Sequence, residues 1–146
     1  MNMRKLILLG VACIALTAAS STMASEQAGP TLTARSSSFG KVLFDGRGFV
    51  LYAFTKDRRT SACSGACAKA WPPYVVRGGV RAGTGVKASL LATVRRANGA
   101  RQVTYAGRPL YYYVGDKKPG QILCQNVSEF GGLWLIVRPS GKLVRG

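Results

Sequence analysis

Two aspartates, Asp57 and Asp116, and two cysteines, Cys63 and Cys67, are the residues of this 146-residue chain whose types and spacing could do chemistry. Each aspartate closes the same pattern, Tyr-x-aromatic-x-x-Asp: Tyr52, Phe54 and Asp57 in one copy, Tyr111, Tyr113 and Asp116 in the other. A pair of carboxylates can serve acid/base work or hold a hard cation. An aspartate that follows a strand can instead accept backbone N–H bonds in an Asx-type turn and fix the strand exit. The flanks favour the second role: Arg58 and Arg59 follow one aspartate, Lys117 and Lys118 follow the other, and four cations are a poor wall for a divalent-cation site.

The cysteines stand in Cys63-Ser64-Gly65-Ala66-Cys67. In an oxidising compartment such a pair closes a disulfide, whose main use would be to pin the turn that delivers Trp71-Pro72-Pro73. Redox catalysis is the competing use, but thioredoxin-like motifs have two intervening residues and open a helix in a βαβ context. Cys124 is left over, either as a buried spectator or as a thiol for an intermolecular partner. Histidine is absent from the whole chain, so three thiols supply only part of a tetrahedral metal set. With no histidine base, no triad-like arrangement and no phosphate-cradling glycine loop, the sequence points to no catalytic residue, no metal and no cofactor.

The residues around these groups read as strands. Val42 to Gly48 precedes the first motif much as Gln102 to Arg108 precedes the second, so each copy is a strand, a glycine-containing turn and a second strand. The copies lie 59 residues apart, which marks an internal duplication. Alternation places Tyr52 with Phe54, and Tyr111 with Tyr113, on matching aromatic faces. Leu133 to Val137, entered through Gly131-Gly132, is the clearest buried-strand run, and Pro139-Ser140-Gly141 turns it toward Leu143-Val144. Helical turns are expected only over 64–71 and 87–93, the first stopped by Pro72. The fold class is therefore all-β: a duplicated antiparallel hairpin unit in a small domain with a disulfide-pinned loop.

Arg4 and Lys5 followed by the apolar run Leu6 to Leu16 read as a secretory signal peptide over residues 1–24. Cys13 raises a competing lipid-attachment reading, against which stand Gly10 three residues earlier and the continuation of the apolar run beyond the cysteine. Residues 25–38, with Gly29, Pro30 and three successive serines, read as a tether. Residues 39–146 then form one domain of two repeats, about 41–75 and 101–138. No second apolar segment of membrane length follows, and export places the mature protein in the periplasm or outside the cell.

Elements spread over most of the mature chain combine into a resemblance. The two Tyr-x-aromatic-x-x-Asp motifs, the loop Cys63 to Cys67 leading into Ala70-Trp71-Pro72-Pro73, the segment Arg95-Arg96-Ala97-Asn98-Gly99 with Gln102-Val103-Thr104-Tyr105, and Gly131-Gly132-Leu133-Trp134 resemble an exported bacterial "secreted repeat" lipoprotein family, from about Val42 to Gly141. The resemblance implies an envelope protein, commonly secreted or lipid-anchored, whose family function is uncharacterised and which lends no catalytic residue. Two features depart from it: Cys124, in a loop after Pro119-Gly120 where relatives are glycine-rich, and the strongly basic charge.

That charge is the one pointer to a partner. The chain carries 21 Lys and Arg against 5 Asp and Glu, an excess that attracts anionic surfaces. Within an envelope these are anionic lipid, acidic polysaccharide or the acidic face of a protein, with Arg58, Arg59, Lys117 and Lys118 as candidate anion-binding residues because both repeats place them at equivalent strand exits. Tyr112, opposite in phase to its neighbours, is a ring that could stack on a base, but export argues against nucleic acid. A redox or electron-transfer accessory using the cysteines and aromatics is the alternative function.

Overall fold

The computed structural model describes residues 30–146, so the signal-peptide and Cys13 readings lie outside the described residues. The chain runs through β1 (Thr31–Ser37), β2 (Gly40–Asp45), β3 (Tyr52–Phe54), a short helix α1 (Ala66–Ala70), β4 (Val75–Val76) and β5 (Arg81–Ala82). A 3-10 turn at Ala88–Leu90 follows, then β6 (Leu91–Arg95), β7 (Arg101–Tyr105), β8 (Arg108–Tyr111), β9 (Val127–Glu129) and β10 (Gly132–Ile136). The fold is all-β, as expected. It divides into a three-stranded sheet, β2-β1-β5, and a seven-stranded one, β4-β7-β8-β3-β10-β9 with β6 on β7. All pairings are antiparallel except the two-residue parallel contact of β1 with β5.

The segment read from the sequence as a tether over 25–38 is different in its second half. Thr31–Ser37 is β1, paired residue by residue with β2 from Leu32–Asp45 to Ser37–Gly40. Its polar composition suits a strand that buries little: Leu32 is fully buried, while Arg35 and Ser36 are exposed.

Of the two hairpins expected from the duplication, the second forms as the paired strands β7 and β8, whereas in the first β2 and β3 lie in different sheets and are joined only around the turn. The second turns at Ala106-Gly107, where φ is 50° and 74°, the left-handed pair of a type I′ turn whose twist matches the flanking strands. The first turns more widely between Asp45 and Val50, closed by Asp45 N to Phe49 O at 2.9 Å and by a Phe44–Val50 bridge. The halves meet where β3 pairs β8, with Tyr52 directly opposite Tyr111 and Ala53 opposite Leu110. β10 then pairs the other edge of β3.

The β7–β8 hairpin splays beyond Thr104–Pro109, and residues 73–76 enter the gap. There Tyr74 N donates to Leu110 O and its carbonyl accepts from Val103 N. Fully buried Gln102 fills the same gap, its Nε2 donating to Leu110 O at 2.8 Å.

Because successive strand residues point to opposite faces, the central sheet is buried on both. Val42, Phe44, Val50, Tyr52, Phe54, Tyr111, Trp134 and Ile136 pack on one face with Cys63, Cys67 and Trp71. Leu43, Leu51, Ala53, Leu110 and Val137 pack on the other with Leu32, Tyr74, Val103 and Tyr105. Tyr113 joins the first cluster and Tyr112 the second. No described helix is long and apolar enough to cross a membrane.

Candidate functional site

The duplicated motif is a reciprocal lock. Tyr52 Oη donates to Asp116 Oδ2 at 2.8 Å, and Tyr111 Oη donates to Asp57 Oδ2 at 2.7 Å. Each copy's tyrosine thus holds the other copy's aspartate, an arrangement created by the antiparallel Tyr52–Tyr111 pairing. The remaining carboxylate oxygens close loops: Asp57 Oδ1 accepts from Ala62 N at 2.7 Å, Asp116 Oδ1 from Leu123 N at 3.0 Å. Burial raises both carboxyls above the ordinary carboxylate range, and the donors partly offset that shift. Burial likewise lifts Tyr52 and Tyr111 well above the usual phenol value. These partners fit the loop-fixing role, with the added function of tying one repeat to the other.

A third carboxylate repeats the device outside the motif. Asp45 is almost fully buried, and its Oδ1 accepts from Arg47 N and Phe49 N, each at 2.9 Å. Its Oδ2 accepts from Tyr112 Oη at 3.0 Å and Arg47 Nε at 2.9 Å. The fourth, Glu129, accepts from Trp71 Nε1 at 2.8 Å. All four described carboxylates therefore bond an aromatic ring donor from the other half of the molecule. No group of three potential metal-ligating side chains occurs among the described residues.

Phe54 and Tyr113, the second aromatics of the motif copies, flank a ring cluster. Trp71 and Trp134 stack at 4.0 Å between centroids and 5° between planes, Phe54 stacks on Trp134 at 4.2 Å, and Tyr113 tilts against Trp71 at 4.7 Å. Cys63 and Cys67 form the disulfide expected of them. It ties the segment before α1 to the first turn of that helix, and Trp71 N donates to Cys67 O at 2.8 Å, so the bridge helps set the position of Trp71. Arg96 grips the same loop, donating to Cys63 O, Ser61 Oγ and Gln102 Oε1. Cys124 is a half-buried free thiol near the Tyr113 hydroxyl, and burial raises it above the ordinary thiol value.

The four candidate anion-binding residues are exposed. They do not share one strand end, because β3 and β8 run antiparallel and the chain leaves them in opposite directions. Lys117 and Lys118 sit on a turn ordered by Gln121 Oε1, which accepts from both their backbone N–H groups.

Two surface features were not singled out by sequence reasoning. One is a depression of about 480 Å³ that gathers Arg77, Arg95 and Arg101 around Gly99. The other is a groove centred on Arg47, whose guanidinium carbon lies 5.2 Å from the Phe49 ring centroid and 5.7 Å from that of Tyr112. The signal available for the second was Asp45-Gly46-Arg47-Gly48-Phe49, in which two glycines permit the tight turn that folds Arg47 back over Asp45. Gly48, at φ 95°, occupies the left-handed region that disfavours a side chain.

No curated protein and no solved structure matches the chain. A family described as a secreted repeat of unknown function matches in two segments, residues 33–74 and 92–138. The crossed Tyr–Asp pairs join one segment to the other, so the lock is made between the two matched repeats. The chain belongs to this family of secreted repeats, with two copies joined edge to edge in one sheet through their shared motif.

Proposed function

We propose that this is a non-catalytic exported module that binds an anionic component of the cell envelope through its basic loops. The carrying observation is how the charges are distributed. The described carboxylates Asp45, Asp57, Asp116 and Glu129 each bond a tyrosine or tryptophan ring donor. Only Asp45 forms a salt bridge, with Arg47. No other Lys or Arg of the described residues forms a salt bridge, and apart from Arg96, whose charge acts on Asp57, the exterior is a largely unopposed positive field that draws polyanions. Arg58, Arg59, Lys117 and Lys118 are the loop cations through which contact is made, with Arg77, Arg95 and Arg101 as a further cluster. The alternative redox role draws no support from the bridge itself, since Cys63 and Cys67 are both buried and thiol–disulfide exchange needs an accessible sulfur.

Sedimentation with vesicles tests the reading. The mature protein should pellet with vesicles containing anionic phospholipid or lipopolysaccharide and stay in solution with zwitterionic ones. A variant with Arg58→Gln, Arg59→Gln, Lys117→Gln and Lys118→Gln should bind at least tenfold more weakly. Equal pelleting with both vesicle types, or full binding by the fourfold variant, would overturn it.

A further inference from the structure

We propose that the groove around Arg47 is a binding site for an acidic oligosaccharide bearing ring carboxylates, a proposal that rests on the anion-binding reading and names its ligand class. Two depressions, of about 590 and 310 Å³, share Arg47 and Tyr112 as common lining and so adjoin one another. Each alone has the size of a small-molecule site. Side by side they offer room for successive rings of a chain.

The walls match that ligand. Pro73 and Tyr74 line one half, Pro72, Phe49 and Tyr113 the other, and the Tyr112 ring belongs to both. Flat aromatic and proline surfaces of this kind accept the apolar C–H faces of sugar rings. The charges of the groove have one available sign. Its two acids are already occupied: Asp45 is 3% exposed with four donors, and Asp116 is 7% exposed and held by Tyr52 and Leu123 N. Its two cations are Arg47 and, at the far end, Lys117.

Arg47 is preorganised for a carboxylate. Its side chain is 70% exposed, yet Nε is anchored on buried Asp45 at 2.9 Å, and the guanidinium lies over Phe49 and Tyr112. That anchoring uses one donor and leaves the Nη edge with no carboxylate partner. An oriented guanidinium loses little entropy when it grips a carboxylate by paired N–H bonds. A free inorganic anion would leave the aromatic walls unused. A bilayer would not enter concave depressions whose shared tyrosine turns its hydroxyl inward onto Asp45.

Isothermal titration of the mature protein with a galacturonate tetramer, a neutral glucose tetramer of the same length and a poly-glutamate peptide tests the site at near-physiological salt. The uronate should bind saturably, Arg47→Gln should weaken it at least tenfold, and Arg47→Lys should weaken it several-fold. A variant with Lys41→Gln, Lys87→Gln and Lys142→Gln, exposed cations outside both the groove and the candidate loops, should stay within twofold of the parent. Near-UV circular dichroism on every variant confirms that the fold is retained, and Arg47→Lys keeps the test open if Arg47→Gln does not fold. Equal binding of the neutral sugar, or equally Arg47-dependent binding of poly-glutamate, would overturn the proposal. Uronate binding that is lost in a variant with Arg58→Gln, Arg59→Gln and Lys118→Gln but untouched at Arg47 would overturn the groove and leave the basic-loop reading standing. Failure to bind either the uronate or anionic vesicles would remove both.

Discussion

The Tyr52 hydroxyl reaches the carboxylate of Asp116 at 2.8 Å, 64 residues further along the chain. Tyr111 makes the matching bond to Asp57 at 2.7 Å. A motif that looks local in each repeat is therefore a contact between repeats, and each aspartate takes a ring hydroxyl on one oxygen and a loop N–H on the other. The pattern explains why aromatic and acidic positions recur together.

The lock should be measurable as a coupling energy. Hydrogen bonds to charged groups contribute about 1.5–3 kcal/mol, and an orphaned buried partner costs more than a pair removed together. Tyr52→Phe and Asp116→Asn should each destabilise the fold. The double variant should be less destabilised than the sum by about 1 kcal/mol or more. Strict additivity in urea denaturation would show that the bond carries no coupling.

Acidity should affect stability in an uncommon direction. Burial raises Asp57 and Asp116 above ordinary carboxylate values in the folded state. The native chain then binds protons at these sites more readily than the unfolded chain does. Their contribution to stability is fully present below the unfolded value of about 4 and is lost as pH rises through the raised folded values. The denaturation midpoint should accordingly rise as pH falls through those raised values toward about 4, and Asp116→Asn should flatten that slope. A midpoint that drops steadily over the same interval would contradict the assignment.

The parts of this fold that the sequence made legible are those governed by short-range rules. Alternation over Tyr52–Phe54 and Tyr111–Tyr113 separated the two core faces, and the glycine turns marked the hairpins. β1 was missed because its only fully buried side chain is Leu32 and its serines look like a linker. Ladder pairing with β2, which composition does not encode, makes it a strand. The crossing of tyrosines and aspartates was missed for a related reason: each Asp lies five residues after its own Tyr, and only the antiparallel pairing of β3 with β8 exchanges their partners. Arg47 escaped notice because an arginine between two glycines reads as a solvated turn until Asp45 is known to be buried beneath it.

Alkaline titration should separate the tyrosines. Burial foremost raises Tyr74 to about 12, and raises Tyr52, Tyr111 and Tyr112 further. An acid held neutral in this way adds stability that is complete below the unfolded phenol value of about 10 and is lost as pH climbs through the folded values. Phenolate absorbance should therefore show these four ionising together with cooperative unfolding, well after an exposed phenol would titrate. Gradual ionisation of these four tyrosines near the ordinary value, with the fold intact, would refute the burial account.

The disulfide should matter more for where Trp71 sits than for whether the chain folds. Cys63 and Cys67 enclose so short a loop that the chain-entropy relation gives roughly 2 kcal/mol. Yet the bridge ties the segment before α1 to the first turn of that helix, and the Trp71 ring, fully buried, stacks on Trp134 and donates to Glu129. A Cys63→Ala/Cys67→Ala variant should keep its far-UV spectrum and lose only about that much stability. Its near-UV tryptophan signal should fall sharply as the 4.0 Å stack loosens. Trp71→Ala, which empties the cluster itself, should cost more, about 3–5 kcal/mol. An unchanged tryptophan signal in the cysteine-free variant would mean that the surrounding rings, with the Arg96 bonds to Ser61 and Cys63 O, hold the loop without help from the covalent bridge.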